Sequence, residues 1–251
     1  SILIKLMNSW KYMLVGRKGV GKSAYSSKIQ YISEHKKECY AHTIQLNDFE
    51  YTTFGKASAD DDLVGTKKYL DAWNFVILLN IYKIIYQDLS VTEVVEFNKT
   101  VELLEKMGFP ITNTFKTTVT SVSRLKLGAT VGIFDAAFEN EFGFKPISFS
   151  DRVGAVVEKM QNTLTSVYLP QKLFVLIDGV DDILRIKKKQ LDILSSLIRS
   201  IDMLNQNLFQ NKVNIKLLLF IREDIINQIT DPDLNLTEIR KRVGVVFQYP
   251  E

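Results

Sequence analysis

Apolar and polar positions change period several times along the chain, and each change marks an element. Tyr12, Met13, Leu14 and Val15 form a short apolar run, so 11–15 reads as a buried strand. Residues 16–21 read as a loop, and Lys22 to about His35 as a helix. A second strand is expected over 40–46. Residues 47–66 are polar and contain glycine, which predicts a loop. Its acidic run, Asp60, Asp61 and Asp62, reads as solvated or as the cap of the next helix. Dense apolar spacing over 66–89 predicts a largely buried helix. An amphipathic helix follows over 92–107 and is ended by Gly108 and Pro110.

The period then changes again. Leu125, Leu127, Ala129, Val131 and Ile133 alternate strictly, the pattern of a half-buried strand. With 117–123 before it, this predicts a β-hairpin set between helices. Residues 150–169 read as a helix with Ser150 at its N-cap. Three strong strand signals close the chain, at 172–177, 215–221 and 243–248, with a helix over 190–208. Short buried strands alternating with helices predict an α/β fold of three layers, a parallel sheet between two layers of helices. The chain is expected to be one domain over 1–251. Residues 66–170, helical plus the β-hairpin, read as an insertion between the second and third strands. There is no internal repeat and no low-complexity segment.

Composition narrows the class. The 251 residues are 46% hydrophobic and 24% charged, which suits an ordinary globular protein. A net charge of +3 permits contact with a nucleotide or nucleic acid without arguing for it. The single cysteine, Cys39, rules out an intrachain disulfide framework and fits a reducing, cytoplasmic compartment. The longest apolar stretch, 73–86, is broken by Asn74, Asn80 and Lys83, so no membrane partner is expected.

The chemistry concentrates in one eight-residue segment, GRKGVGKS. Gly16, Gly21, Lys22 and Ser23 complete the P-loop pattern, placed between a strand and a helix as that pattern requires. The expected contact set is Gly16, Arg17, Lys18, Gly19, Val20, Gly21, Lys22, Ser23 and Ala24. Glycines let backbone N–H groups curl around phosphate oxygens, and the helix presents its positive end to the same anion. Lys22 is expected to reach the β- and γ-phosphates of ATP, and Ser23 to ligate Mg²⁺. Arg17 and Lys18 add positive charge at the lip of the loop. In LFVLIDGVDD, five apolar residues lead to Asp178, the expected second metal ligand. Asp181 is the candidate for orienting the attacking water, with Asp182 in reserve; a helix cap is the competing role. In KLLLFIRED a third apolar run ends at Arg222. A cation at that strand end can sense the γ-phosphate, or it can pair with Glu223 or Asp224.

These segments resemble the additional-strand branch of P-loop ATPases, which includes the AAA+ and STAND proteins. That resemblance implies the sheet order 5-1-4-3-2. IDGVDDI is closer to the STAND and KAP-type acidic box than to the adjacent acid pair of AAA+ proteins, because Gly179 follows Asp178 where those carry Glu. LLLFIREDI also resembles a strand-end segment of bacterial P-loop ATPases with defence-type or DNA-linked roles, anti-phage defence among them. Many proteins of this kind carry a further C-terminal domain.

Three functions follow as expectations. The first is an Mg²⁺-dependent ATPase that drives or gates a protein partner or homo-oligomer, with Lys22, Asp178, Asp181 and Arg222 as its catalytic set. The second is an ATP/ADP switch or assembly module that barely hydrolyses. The third is a DNA-binding loader or motor, for which no clear basic face is visible.

Rival nucleotide proteins fail on sequence. NKTV has Val101 where a GTPase needs Asp, no LSGGQ-like signature of ABC ATPases occurs, and Arg124 and Arg152 are too scattered for a kinase lid.

The remaining residues are weaker candidates. His35, Cys39 and His42 supply three metal ligands at most, so they read as a buried thiol and two ordinary histidines. Trp10 is expected to pack in the core rather than to stack on a base. The run Lys187 to Lys189 reads as a solvated face rather than a phosphate contact. EIRKR, 238–242, carries cations that could serve a neighbouring subunit's nucleotide.

Overall fold

A computed structural model describes residues 1–47, 49, 54–55, 65–88, 94–112, 115–127, 131–145, 149–180, 188–229 and 244–246. The chain divides into two compact units. The first gathers Ser1–Phe49, Leu169–Phe209 and Asn214–Glu251; the second gathers Glu50–Tyr168 and Gln210–Val213.

The first unit is built on strands β1 (Met13–Gly16), β2 (Tyr40–Gln45), β3 (Leu173–Asp178), β4 (Ile215–Arg222) and β5 (Gly244–Val246). All pairings are parallel, and the order across the sheet is β2-β3-β4-β1-β5. Every residue of β1, β3 and β4 is buried. That is why these strands read as unbroken apolar runs: both faces of a parallel sheet are covered. Strand β2 lies at an edge and is only partly covered.

The helices of this unit are α1 (Ile2–Asn8), α2 (Lys22–Tyr31, extended by the π-helical turn Ile32–Lys36), α8 (Lys188–Gln210) and α9 (Glu223–Gln228). Helix α8 buries Ile193, Leu194, Leu197, Ile198, Ile201, Leu204 and Leu208, spaced three and four apart. Each such side chain contributes about 1.5–3 kcal/mol on full burial.

Polar contacts fix the register of α8. The Tyr12 hydroxyl donates to Asp202 Oδ1 at 2.6 Å. The Asn205 carboxamide takes both backbone groups of Leu217, at 2.9 Å from its N–H and 3.1 Å from its C=O. Strand β1 begins its pairing with β4 only at Met13↔Leu219. Asn205 therefore completes the ladder where β1 has not yet begun.

Helix α1 had no counterpart in the sequence reading. Its end is closed by Lys216 of β4, whose Nζ donates to the carbonyls of Leu6 at 2.5 Å and Ser9 at 2.6 Å. Burial, then the neighbouring Lys172 ammonium, pushes Lys216 down to about 7. A neutral amine still has two N–H donors, one for each carbonyl.

The second unit is helical: α3 (Leu70–Lys83), α4 (Val95–Lys106), α5 (Phe115–Leu127), α6 (Val131–Phe142) and α7 (Phe149–Leu164). Helix α3 is buried from Ala72 to Tyr82, which accounts for its dense apolar sequence. Around it Phe54 packs on Trp73, Phe75 on Phe109 and Tyr82 on Phe97. Two polar pairings lie inside this unit: Tyr82 Oη donates to Met160 O at 3.0 Å, and the Thr100 and Thr163 hydroxyls meet at 3.0 Å.

The expected β-hairpin over 115–133 is corrected by this unit. Its described residues are helical, in α5 and α6. Burial follows the helical period: Val119 and Val122 are buried three apart, Phe134 and Phe138 four apart. Ile133, on the alternating register, is 68% exposed. The alternating run in fact straddles two elements, since Leu125 and Leu127 close α5 and Val131 opens α6. Tertiary partners for the phenylalanines outweigh local strand preference. Ser150 is likewise corrected, because α7 starts at Phe149 and leaves Ser150 in the first turn. No helix among the described residues is long and apolar enough to cross a membrane.

Candidate functional site

Parallel strands end on the same edge, so Gly16, Gln45, Asp178 and Arg222 share one rim of the sheet. The pairings are direct: Gly16 lies opposite Arg222, and Gln45 opposite Asp178. Strand β4 separates β1 from β3 and runs two residues beyond the level of Asp178, which sets the strand ends of Gly16 and Asp178 about 12 Å apart.

The loop after β1 leaves a buried Gly16 and turns through the exposed residues Arg17, Lys18 and Gly19, a partly covered Val20 and an exposed Gly21. Gly19 has φ 79° and Gly21 φ 91°. A Cβ on either would meet nothing within 4 Å, so backbone twist, not crowding, favours glycine here.

Gly21 caps α2 without a side chain, and the helix carries no acid in its first turn. Its Ala24 N–H donates to Gly21 O at 3.0 Å, and an N-terminus of this kind can present further N–H groups to an anion. Lys22 is only 4% exposed. Its Nζ folds back to Gly16 O at 3.4 Å and Arg17 O at 3.2 Å, which lays the ammonium against the loop's own carbonyls. Ser23 and Ala24 follow it, exposed, in the first turn.

Asp178 ends β3 and is buried, with Oδ1 accepting from the Gly179 N–H at 2.8 Å. Gly179 has φ 83°, and a Cβ there would stand 2.0 Å from Asn47 Oδ1 and 2.8 Å from Asn47 N. The chain leaving β2 thus runs against Gly179, anchored by Leu46 N–H donating to Asp178 O at 2.8 Å. Asn47 is a neighbour of the acid that the sequence reading passed over as loop. Its signal was its place, directly after a strand paired with the Asp178 strand. Asp181 and Asp182 lie outside the described residues.

Arg222 is 5% exposed and stands at the junction of β4 and α9. Its Nε donates to Asp224 Oδ1 at 2.9 Å, and its Nη2 donates to Oδ2. This pairing lowers the Asp224 carboxyl below the usual carboxylate range, against a smaller opposing effect of burial. Asp224, one of the two acids considered on sequence, is thus joined to Arg222.

Trp10 corrects its expectation. It is 59% exposed and lies on Phe209, ring centroids 3.8 Å apart. It precedes β1 at the amino edge of the sheet, about 20 Å of strand from Gly16, so it belongs neither to the core nor to the loop rim.

His35 stacks on Tyr31, His42 sits in β2, and burial and Glu38 raise the thiol of Cys39. No group of three or more potential metal ligands of the His, Cys, Asp or Glu type occurs among the described residues. Lys187 and 238–242 lie outside them, and Lys188 and Lys189 open α8.

No protein-family model matches the chain, and no solved structure matches it. A 23-residue stretch, 9% of the chain, is 91% identical to the Energy-coupling factor transporter ATP-binding protein EcfA2 of Clostridioides difficile (strain 630). The chain covers 8% of that protein's length, so the likeness is one of a segment and shows no family.

Proposed function

We propose that this chain binds ATP at the loop from Gly16 to Ala24 and hydrolyses it with Mg²⁺, using turnover to drive or gate a protein partner or its own assembly. The loop carries the reading: two glycines at positive φ lead into a helix end that has no side-chain cap and begins with a buried lysine. That combination suits a polyphosphate. The sheet order, taken from β5 as β5-β1-β4-β3-β2, supports the additional-strand branch. The segment shared with an ATP-binding transporter component supports ATP as the nucleotide. On this reading the helical unit is an insertion into a nucleotide-binding domain.

The chain's own groups divide the work. Loop amides and Lys22 hold the phosphates and place the γ-phosphoryl group over the strand ends. Lys22 gives up its carbonyl contacts for phosphate oxygens, a stronger charge-assisted pairing. The Ser23 hydroxyl and the Asp178 carboxylate suit the metal, since both are hard oxygen donors. Bound there, Mg²⁺ supplies charge neutralisation to the β- and γ-phosphates. Asp181 orients the attacking water, and Arg222 answers to the γ-phosphate.

A second reading has its own observation. Gly179 occupies the position where the AAA+ branch carries its catalytic acid, and the proximity of Asn47 leaves no room for a side chain. This favours slow hydrolysis, and with it a nucleotide-dependent switch. The test is phosphate release from ATP and GTP, with and without Mg²⁺, together with direct nucleotide binding, in the wild type and Lys22→Ala. Mg²⁺-dependent ATP turnover, lost in the variant, is expected. Tight ATP binding without turnover would establish the switch instead, and failure to bind either nucleotide would overturn both readings.

A further inference from the structure

We propose that Asp224 is a positioning residue that sets the Arg222 guanidinium to discriminate a nucleoside triphosphate from its diphosphate. The proposal rests on the nucleotide site described above. It begins with placement. Arg222 pairs in register with Gly16, the first residue of the loop, so its backbone starts one strand spacing, about 4.8 Å, from the loop's root. A cation leaving β4 at that point belongs to the same rim as Asp178.

The side chain then needs a holder. The Arg222 side chain is 6% exposed, and a buried guanidinium requires a counter-charge. Asp224 meets it along one edge, with Nε on Oδ1 and Nη2 on Oδ2. Two parallel bonds fix the plane of the fork as well as its place. A guanidinium has five N–H donors, so three lie outside this pair. Rotation about the terminal bonds of arginine would otherwise spread those donors over many directions.

The Arg222 side chain is the largest influence on the Asp224 carboxylate, ahead of the backbone N–H groups of Asp224 and Ile225 at the helix start. The Asp224 side chain is 48% exposed, so it needs no partner to leave water. It lies in the first turn of α9, two residues after Arg222. Only a chain that turns from strand to helix directly after Arg222 brings the carboxylate back onto the fork. Arg222 touches the nucleotide in this scheme, and Asp224 acts through it.

The experiment is a comparison of ATP and ADP affinities, measured by calorimetry with Mg²⁺, in the wild type, Asp224→Ala, Asp224→Asn, Arg222→Ala and the Arg222→Ala/Asp224→Ala double variant. The expected result is a preference for ATP over ADP that falls about tenfold in Asp224→Ala while ADP affinity stays within about twofold. Asp224→Asn keeps one acceptor and the shape, and should lose less. The double variant should lose no more than Arg222→Ala alone, because one residue acts through the other. Equal weakening of ATP and ADP, an unchanged preference, or losses that add in the double variant would overturn the proposal. Should Asp224→Ala not fold, Asp224→Asn decides by the same ratio. Strong ATP binding with an unchanged ratio leaves the nucleotide reading intact and removes only the role of Asp224. Absence of all binding in the wild type removes both.

Discussion

Gly21 and Gly179 owe their identity to different forces. Gly21 has φ 91° and open space where a Cβ would be, so substitution there meets only the left-handed backbone cost, about 1–2 kcal/mol. Gly179 has φ 83° and the Asn47 carboxamide 2.0 Å from the same point. A methyl group there adds a packing clash of about 1–3 kcal/mol to the backbone cost. Urea denaturation should show Gly179→Ala as the more costly of the two. Asn47→Gly should recover part of the loss in the double variant, although Asn47 N stays 2.8 Å from the added carbon. Equal costs for the two glycines, or strict additivity with Asn47→Gly, would refute this account.

Elements in this protein are decided by what covers them. In α6, Phe134 is buried against Phe109 while Ile133 is 68% exposed. Ile133→Asp should therefore change stability by no more than about 0.5 kcal/mol, and Phe134→Ala should cost about 3–5 kcal/mol. A hairpin on the alternating register would reverse that ranking in a denaturant titration. Helix α1 is closed by Ser9 and by the buried Lys216, and the lysine gives its end a pH signature. Lys216 stands at about 7 in the fold against 10.5 for an ordinary lysine. Below about pH 7 both folded and unfolded chains hold the proton, and stability from this group does not vary. Between the two values the unfolded chain binds more protons, so stability rises with pH. Unfolding midpoints should climb from pH ~7 to pH ~10 in the wild type and climb less in Lys216→Met. Parallel pH curves for the two proteins would count against the lowered lysine.

At the scale of the molecule, one unit holds the candidate site and the other holds the helices α3–α7. ATP with Mg²⁺ at a hundred times its Kd should raise the unfolding free energy of the sheet unit by about 2.7 kcal/mol. Hydrogen exchange should slow most in β1, α2 and β3. Slowing confined to α3–α7 would place the nucleotide elsewhere.

Much of this was written in local sequence, for a physical reason. Strands buried on both faces must be apolar throughout, so β1, β3 and β4 announced themselves, and the residues ending them announced the rim. The P-loop glycines were legible because backbone twist is a local property. Lys22 was legible as a candidate by its place in the loop pattern, but its fold onto Gly16 O and Arg17 O needed coordinates. Tertiary structure alone decided the rest. Period could not separate two helix ends from one strand over 125–133, because only the packing of Phe134 and Phe138 tells which face is inside. Asn47 against Gly179, Asp224 on Arg222 and Lys216 beneath α1 are likewise meetings across turns or between strand and helix. Sequence names the partners in such contacts, but only the path of the chain brings them together.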